Sequence, residues 1–212
     1  MINPIILFTC IAFLAALGVA NAQEAPPDPG VVSSDTPRKD APPVTRDERW
    51  RNYVNDAFLS PGPYFATVMP ALGEQRRNQP AEYGEGWSGF GNRLVRRAAQ
   101  YQLQTALYHS SAAALGTETG YRRCTCTGGV KRLGYALSRT FLTRTGSGRT
   151  VPNVAYIGGV FGGGAIATET WYPDRYRATG EGVRAGAIQV GVNTAVNVVQ
   201  EFGPELKRFF RR

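Results

Sequence analysis

From Thr45 onward apolar and polar residues alternate largely with the period of an α-helix. Trp50, Tyr53, Val54, Ala57 and Phe58 fall at i, i+3, i+4, i+7 and i+8, which marks one apolar face of a short helix. In front of them Thr45-Arg46-Asp47-Glu48 forms an S/T-x-x-E capping box, whose two end residues each satisfy an orphan amide of the other. Ser60-Pro61-Gly62-Pro63 stops that helix. The density of Pro63, Pro70, Gly73 and Pro80 then predicts only broken helix and loop as far as Pro80.

The most regular stretch spans about Gly86 to Leu115. Trp87, Leu94, Tyr101, Tyr108 and Leu115 recur every seven residues, with Gly91, Ala98, Thr105 and Ala112 recurring every seven between them. Alternating large and small positions predict a long bundle helix, roughly 45 Å at ~1.5 Å per residue, whose seam lets a partner helix approach at each small residue. Arg93, Arg96 and Arg97 lie outside that seam at i, i+3 and i+4, as one basic patch of the kind that usually forms a solvated face.

A polar turn, TETGYRRCTCTGG, follows, and then Val130, Leu133, Leu137 and Phe141 mark an amphipathic helix to about Thr143. Asn153 is placed to cap the next helix, VAYIGGVFGGGAIAT, which is apolar or small at every angle. Glycine costs about 1 kcal/mol per helical position relative to alanine, so five glycines there require a reason, and close backbone approach to a neighbour supplies one. The reading is a buried central helix. The alternative is a glycine-zipper membrane component spanning about 154–168. The last long element, about Gly180 to Phe202, alternates like a strand at Ile188, Val190 and Val192. It also carries a polar stripe of Gln189, Asn193, Asn197 and Glu201 opposite an apolar one, and helix is the better reading.

These elements predict an all-α fold, a single bundle of about five helices with glycine- and alanine-lined contacts over residues 46–212. Residues 1–22 read as a signal peptide, with an apolar run from Ile5 to Ala20 and a small-x-small Ala20-Asn21-Ala22 site. The n-region lacks Lys and Arg, which leaves an uncleaved anchor as the alternative. Residues 23–45 hold six prolines and no aromatic residue and read as a disordered linker. The expected location is therefore exported, periplasmic or extracellular, and peripheral to a membrane.

Charge narrows the partners. Of the 24 Lys and Arg residues, 21 are Arg, and residues 46–212 carry 22 basic and 12 acidic side chains, a net +10. Guanidinium grips carboxylate or phosphate with two parallel bonds, so anionic partners are favoured: a membrane surface, a cell-wall polymer or an acidic protein, with no specific nucleic acid. The C-terminus combines Lys207, Arg208 and Arg211 with Phe209 and Phe210, basic and aromatic residues interleaved as an anionic surface binds them. Together with Arg93, Arg96, Arg97, Arg122 and Arg123 these are the expected contact residues.

Catalytic signals are absent. The single histidine, His109, has no nucleophile elbow to serve, and Glu82 and Glu85 lie near a helix start, where carboxylates suit the helix dipole. An enzyme using Glu82, Glu85 and His109 is the alternative to a non-catalytic protein. The glycine runs match no phosphate-binding loop, so no cofactor is expected. Cys124-Thr125-Cys126 suits a disulfide or redox pair better than a metal, for which further ligands at diagnostic spacing are wanting.

Overall fold

A computed structural model describes residues 44–177 and 180–210, and these are mostly helical. The expected signal peptide, and the linker up to residue 43, lie outside the described residues. Helix α1 (Arg46–Val54) opens with the capping box in place: Thr45 N donates to Glu48 Oε2 at 2.8 Å and Glu48 N to Thr45 Oγ1 at 3.2 Å. A π-helical turn, Asn55–Leu59, extends it.

The expected broken segment is instead a continuous 16-residue helix, α2 (Pro61–Arg76). Pro61 and Pro63 occupy its first turn, where no amide hydrogen bond is lost, so the proline cluster that looked like a stop is a start. Pro70 sits inside the helix, and the 3₁₀ turn Ala81–Tyr83 follows a loop.

Helix α3 (Gly86–Ala114) matches the long seam in extent but not in orientation. Tyr101, Thr105 and Ala112 are buried as the heptads predict, whereas Trp87 is 88% and Leu115 55% exposed. A seven-residue repeat drifts about 20° per heptad around a straight helix, so the two ends of the seam rotate out of the interface. The inward face carries Arg93, Arg97, Gln100, Gln104 and His109, all buried. The three arginines form no outward patch.

Helix α4 (Gly129–Phe141) ends two residues short of the expected Thr143, because Leu142–Arg144 (β1) turns back to pair antiparallel with Thr150–Pro152 (β2), Thr143 opposite Val151. Helix α5 (Val154–Trp171) follows. Asn153 caps it by accepting from Tyr156 N at 3.4 Å. After the short α6 (Asp174–Arg177) comes α7 (Glu181–Phe210), so the strand-like alternation belongs to a helix.

Helix α5 is the centre of the packing, with α3 on one side and α7 on the other; α2 joins α3 and α4 joins α7. The glycines permit this. A Cβ on Gly159 would lie 2.7 Å from Tyr108 N, one on Gly163 2.8 Å from Gln104 Cα, and one on Gly164 2.5 Å from Gly182 O. Gly158 and Gly162 face open space. Among the described residues no helix is long and apolar enough to cross a membrane.

Candidate functional site

The most closely tied surface region joins α4, the loop before it and the C-terminal half of α7. Glu201, fully buried, is its centre. Its carboxylate accepts from Arg132 Nε at 2.8 Å, from the Tyr121 hydroxyl at 2.9 Å and from the Cys124 amide at 3.0 Å. Burial acts to raise the carboxyl's pKa. The bonds from Arg132, Cys124 and Tyr121 outweigh that, so it is held below the ordinary glutamate range. Arg132 also reaches Glu205 at 2.5 Å and lies 4.7 Å from the centre of the Phe202 ring. Farther along, Thr140 Oγ1 meets Thr194 Oγ1 at 3.0 Å and accepts from Asn197 at 3.2 Å, so α4 and α7 run antiparallel with polar groups matched along the seam.

Because α4 turns this polar edge inward, its apolar stripe faces out. Val130, Leu133, Leu137 and Phe141 fall within a roughly 80° arc at about 100° per residue. They are 87, 41, 42 and 53% exposed. An amphipathic helix in a bundle ordinarily buries that stripe. Here only Ala136 and Thr140 are fully buried.

Cations flank the stripe. Arg122 pairs with Glu118 at 3.3 Å, and Arg123 donates to the Gln200 carbonyl at 3.0 Å. Lys131, Lys207 and Arg208 form no ion pair with a carboxylate among the described residues, the Arg123 charge lies near enough to Glu205 to help hold that carboxyl low, and Phe209, beside Arg208, is 76% exposed. Cys124 and Cys126 form a disulfide within the loop that carries Arg122 and Arg123. Arg211 and the Phe210 side chain lie outside the described residues.

The other expected contact residues are elsewhere. Arg93, fully buried, spends all five N–H donors on oxygens of the last turn of α2 and the segment after it: Gln75, Asn78, and the carbonyls of Gln79, Pro80 and Gly84, at 2.7 to 3.1 Å. Arg97 forms a buried ion pair with Glu74. Arg96, half-buried, donates to the Trp171 carbonyl with its guanidinium 4.6 Å from the centre of the Tyr83 ring. Arg93 and Arg97 are therefore corrected from surface contacts to internal bolts. Their long side chains reach oxygens that local periodicity cannot reveal.

The candidate acid–base residues are not gathered. Glu82 pairs with Arg175 at 2.8 Å and Glu85 accepts from Asn78 at 2.9 Å. His109 lies some 24 residues along α3 from Glu85, roughly 36 Å at ~1.5 Å per residue. Its neighbour is Asp56, from the π-helical turn, with Nε2 to Oδ2 at 3.2 Å. No cluster of three or more His, Cys, Asp or Glu suited to a metal occurs among the described residues. Sequence reasoning named Asp56 and Glu74 only as possible carboxylate partners of Glu82 and Glu85, and missed their pairing with His109 and Arg97 and the central role of Glu201, whose one signal was its place as the last member of the polar stripe on α7. No protein-family model, curated protein or solved structure matches this chain.

Proposed function

We propose that the chain is a non-catalytic, exported protein that binds an anionic membrane surface through helix α4 and the C-terminal end of α7. The observation carrying this reading is the outward apolar stripe Val130, Leu133, Leu137 and Phe141, bordered by cations of which Lys131, Lys207 and Arg208 form no ion pair among the described residues. A cationic amphipathic helix lying in the plane of a bilayer buries its apolar face at the headgroup–acyl boundary while its cations meet lipid phosphates.

Magnitudes indicate that both parts are needed. Each Lys or Arg near an anionic leaflet contributes about 1 kcal/mol, so Arg123, Lys131, Lys207 and Arg208 together give roughly 4 kcal/mol, which alone corresponds to millimolar binding. Burial of the exposed part of the stripe supplies the remainder needed for micromolar affinity. Export itself is read from residues 1–22 of the sequence. Acidic polymers and acidic proteins satisfy the charge but not the apolar stripe, which is why lipid is the preferred partner.

Co-sedimentation with phosphatidylglycerol-containing and pure phosphatidylcholine vesicles tests the reading. Binding is expected on the anionic vesicles and should weaken as salt shortens the screening length. Equal retention on both, at low and high salt, would overturn it.

A further inference from the structure

We propose that the solvent-open cleft between the π-helical turn, α3, α5 and α7 binds a neutral polyhydroxylated ligand the size of one sugar residue. This site borders the α4–α7 node at Tyr121 and Gln200 but does not depend on the membrane reading. The cavity has a volume of about 250 Å³. Small-molecule sites usually measure roughly 300 to 1,000 Å³, so this one admits a single ring rather than an oligosaccharide.

Its chemistry is selective. The lining includes Asn55, Asp56, Tyr101, Tyr156, Asn193 and Gln200 and, among the described residues, not one Lys or Arg, in a chain that has 24 of them. A phosphate or carboxylate would meet the Asp56 carboxylate with no Lys or Arg of the lining to pair with it, so anions are disfavoured. A simple cation is a poor match as well, since the Asp56 carboxylate is already engaged by His109 at 3.2 Å and by the Asn55 amide at 3.4 Å.

The groups left over suit hydroxyls. The carboxamides of Asn193 and Gln200 make no hydrogen bond among the described residues. Each offers two donors and an acceptor side by side, which is the complement of a vicinal diol, whose hydroxyls both give and accept. The Tyr101 and Tyr156 hydroxyls already donate to the carbonyls of Asp56, at 2.7 Å, and Gln189, at 3.0 Å. Both residues line the cleft with their hydroxyls so engaged, and an aromatic ring is the kind of surface against which the C–H face of a sugar packs. Asn193 is half-buried and Gln200 exposed, so both amides are open to solvent, and a sugar hydroxyl would replace the water that bonds to them.

Free monosaccharides and the terminal unit of an envelope polysaccharide present the same hydroxyls. Saturation-transfer NMR on the full chain, with glucose, galactose, N-acetylglucosamine and their methyl glycosides as probes, tests both sources. Transfer to ring protons of at least one sugar is expected; a preference for the methyl glycoside assigns the polymer end, and a preference for the free sugar assigns the monosaccharide. Glucose 6-phosphate should bind more weakly than glucose. Asn193→Leu should abolish the signal, and Gln200→Ala, at the more exposed edge, should weaken binding roughly fivefold. The proposal fails if no sugar shows transfer with the folded wild type, if both variants bind as wild type, or if choline binds in place of the sugars.

Discussion

Arg132 donates to the buried carboxylate of Glu201 at 2.8 Å, and this bond fixes which edge of α4 faces the bundle. With Tyr121 and the Cys124 amide on the same carboxylate, the polar edge of α4 is held against α7 and the apolar stripe has no choice but to face outward. The orientation of the proposed membrane face is thus set by an ion pair rather than by hydrophobic burial.

Removing that carboxylate should be expensive. Glu201→Ala leaves Arg132, the Tyr121 hydroxyl and the Cys124 amide without their shared acceptor, and stability should fall by about 3 kcal/mol, the lower end for breaking a buried pair because Arg132 keeps Glu205. Urea denaturation at neutral pH measures this. A loss below 0.5 kcal/mol would mean the node is incidental.

The same carboxylate gives a pH signature. Its pKa is lower folded than unfolded, so its stabilisation is complete above about pH 4.3, the unfolded value, and is lost as pH falls through the folded one. Glu205, also held low chiefly by its bond from Arg132, acts in the same direction. Melting temperatures of wild type should drop on acidification below about pH 4.3, and the drop should be shallower in Glu201→Gln.

Arg93 should outweigh any surface arginine. Arg93→Ala empties a fully buried site and strands five oxygen acceptors, at a cost of roughly 3 to 5 kcal/mol. Arg208→Ala, on an exposed residue, should stay within about 0.5 kcal/mol. Thermal melts at one pH and salt compare the two; similar midpoints would contradict the assignment of Arg93 to the interior.

Two neighbouring glycines should answer oppositely to alanine. Gly163→Ala places a methyl 2.8 Å from Gln104 Cα and should cost about 1 to 3 kcal/mol by overpacking. Gly162→Ala meets open space and should stabilise by up to about 1 kcal/mol through helix propensity. Denaturation midpoints that move in the same direction would show that α5 is rotated from its described orientation.

Local signals read well. The capping box at Thr45, the Asn153 cap and the extents of α3 and the start of α4 follow from short-range chemistry that the sequence displays directly. Facing was harder to read. Apolar periodicity assumes that apolar residues point inward, whereas α3 buries Arg93, Arg97, Gln100 and Gln104, a polar series at i, i+4, i+7 and i+11. That spacing is visible in the sequence, but its partners, Glu74 and the Val160 carbonyl among them, lie 23 and 56 positions away. Asp56 enters its site through a π-helical turn, and Pro61 and Pro63 start a helix rather than end one. Both depend on packing that no local window contains.

The central claim is that α4's outward stripe, and not exposed apolar surface in general, attaches the protein to anionic lipid. The direct measurement compares partition of wild type, Leu133→Ser/Leu137→Ser and Ile166→Ser onto phosphatidylglycerol vesicles. Ile166, on α5, is 46% exposed and so matches the two leucines in exposure while lying outside the stripe. Loss of two partly buried leucyl contacts should weaken partition roughly tenfold or more in the double variant, while Ile166→Ser binds as wild type. Equal partition of all three, or a larger loss for Ile166→Ser, would contradict it.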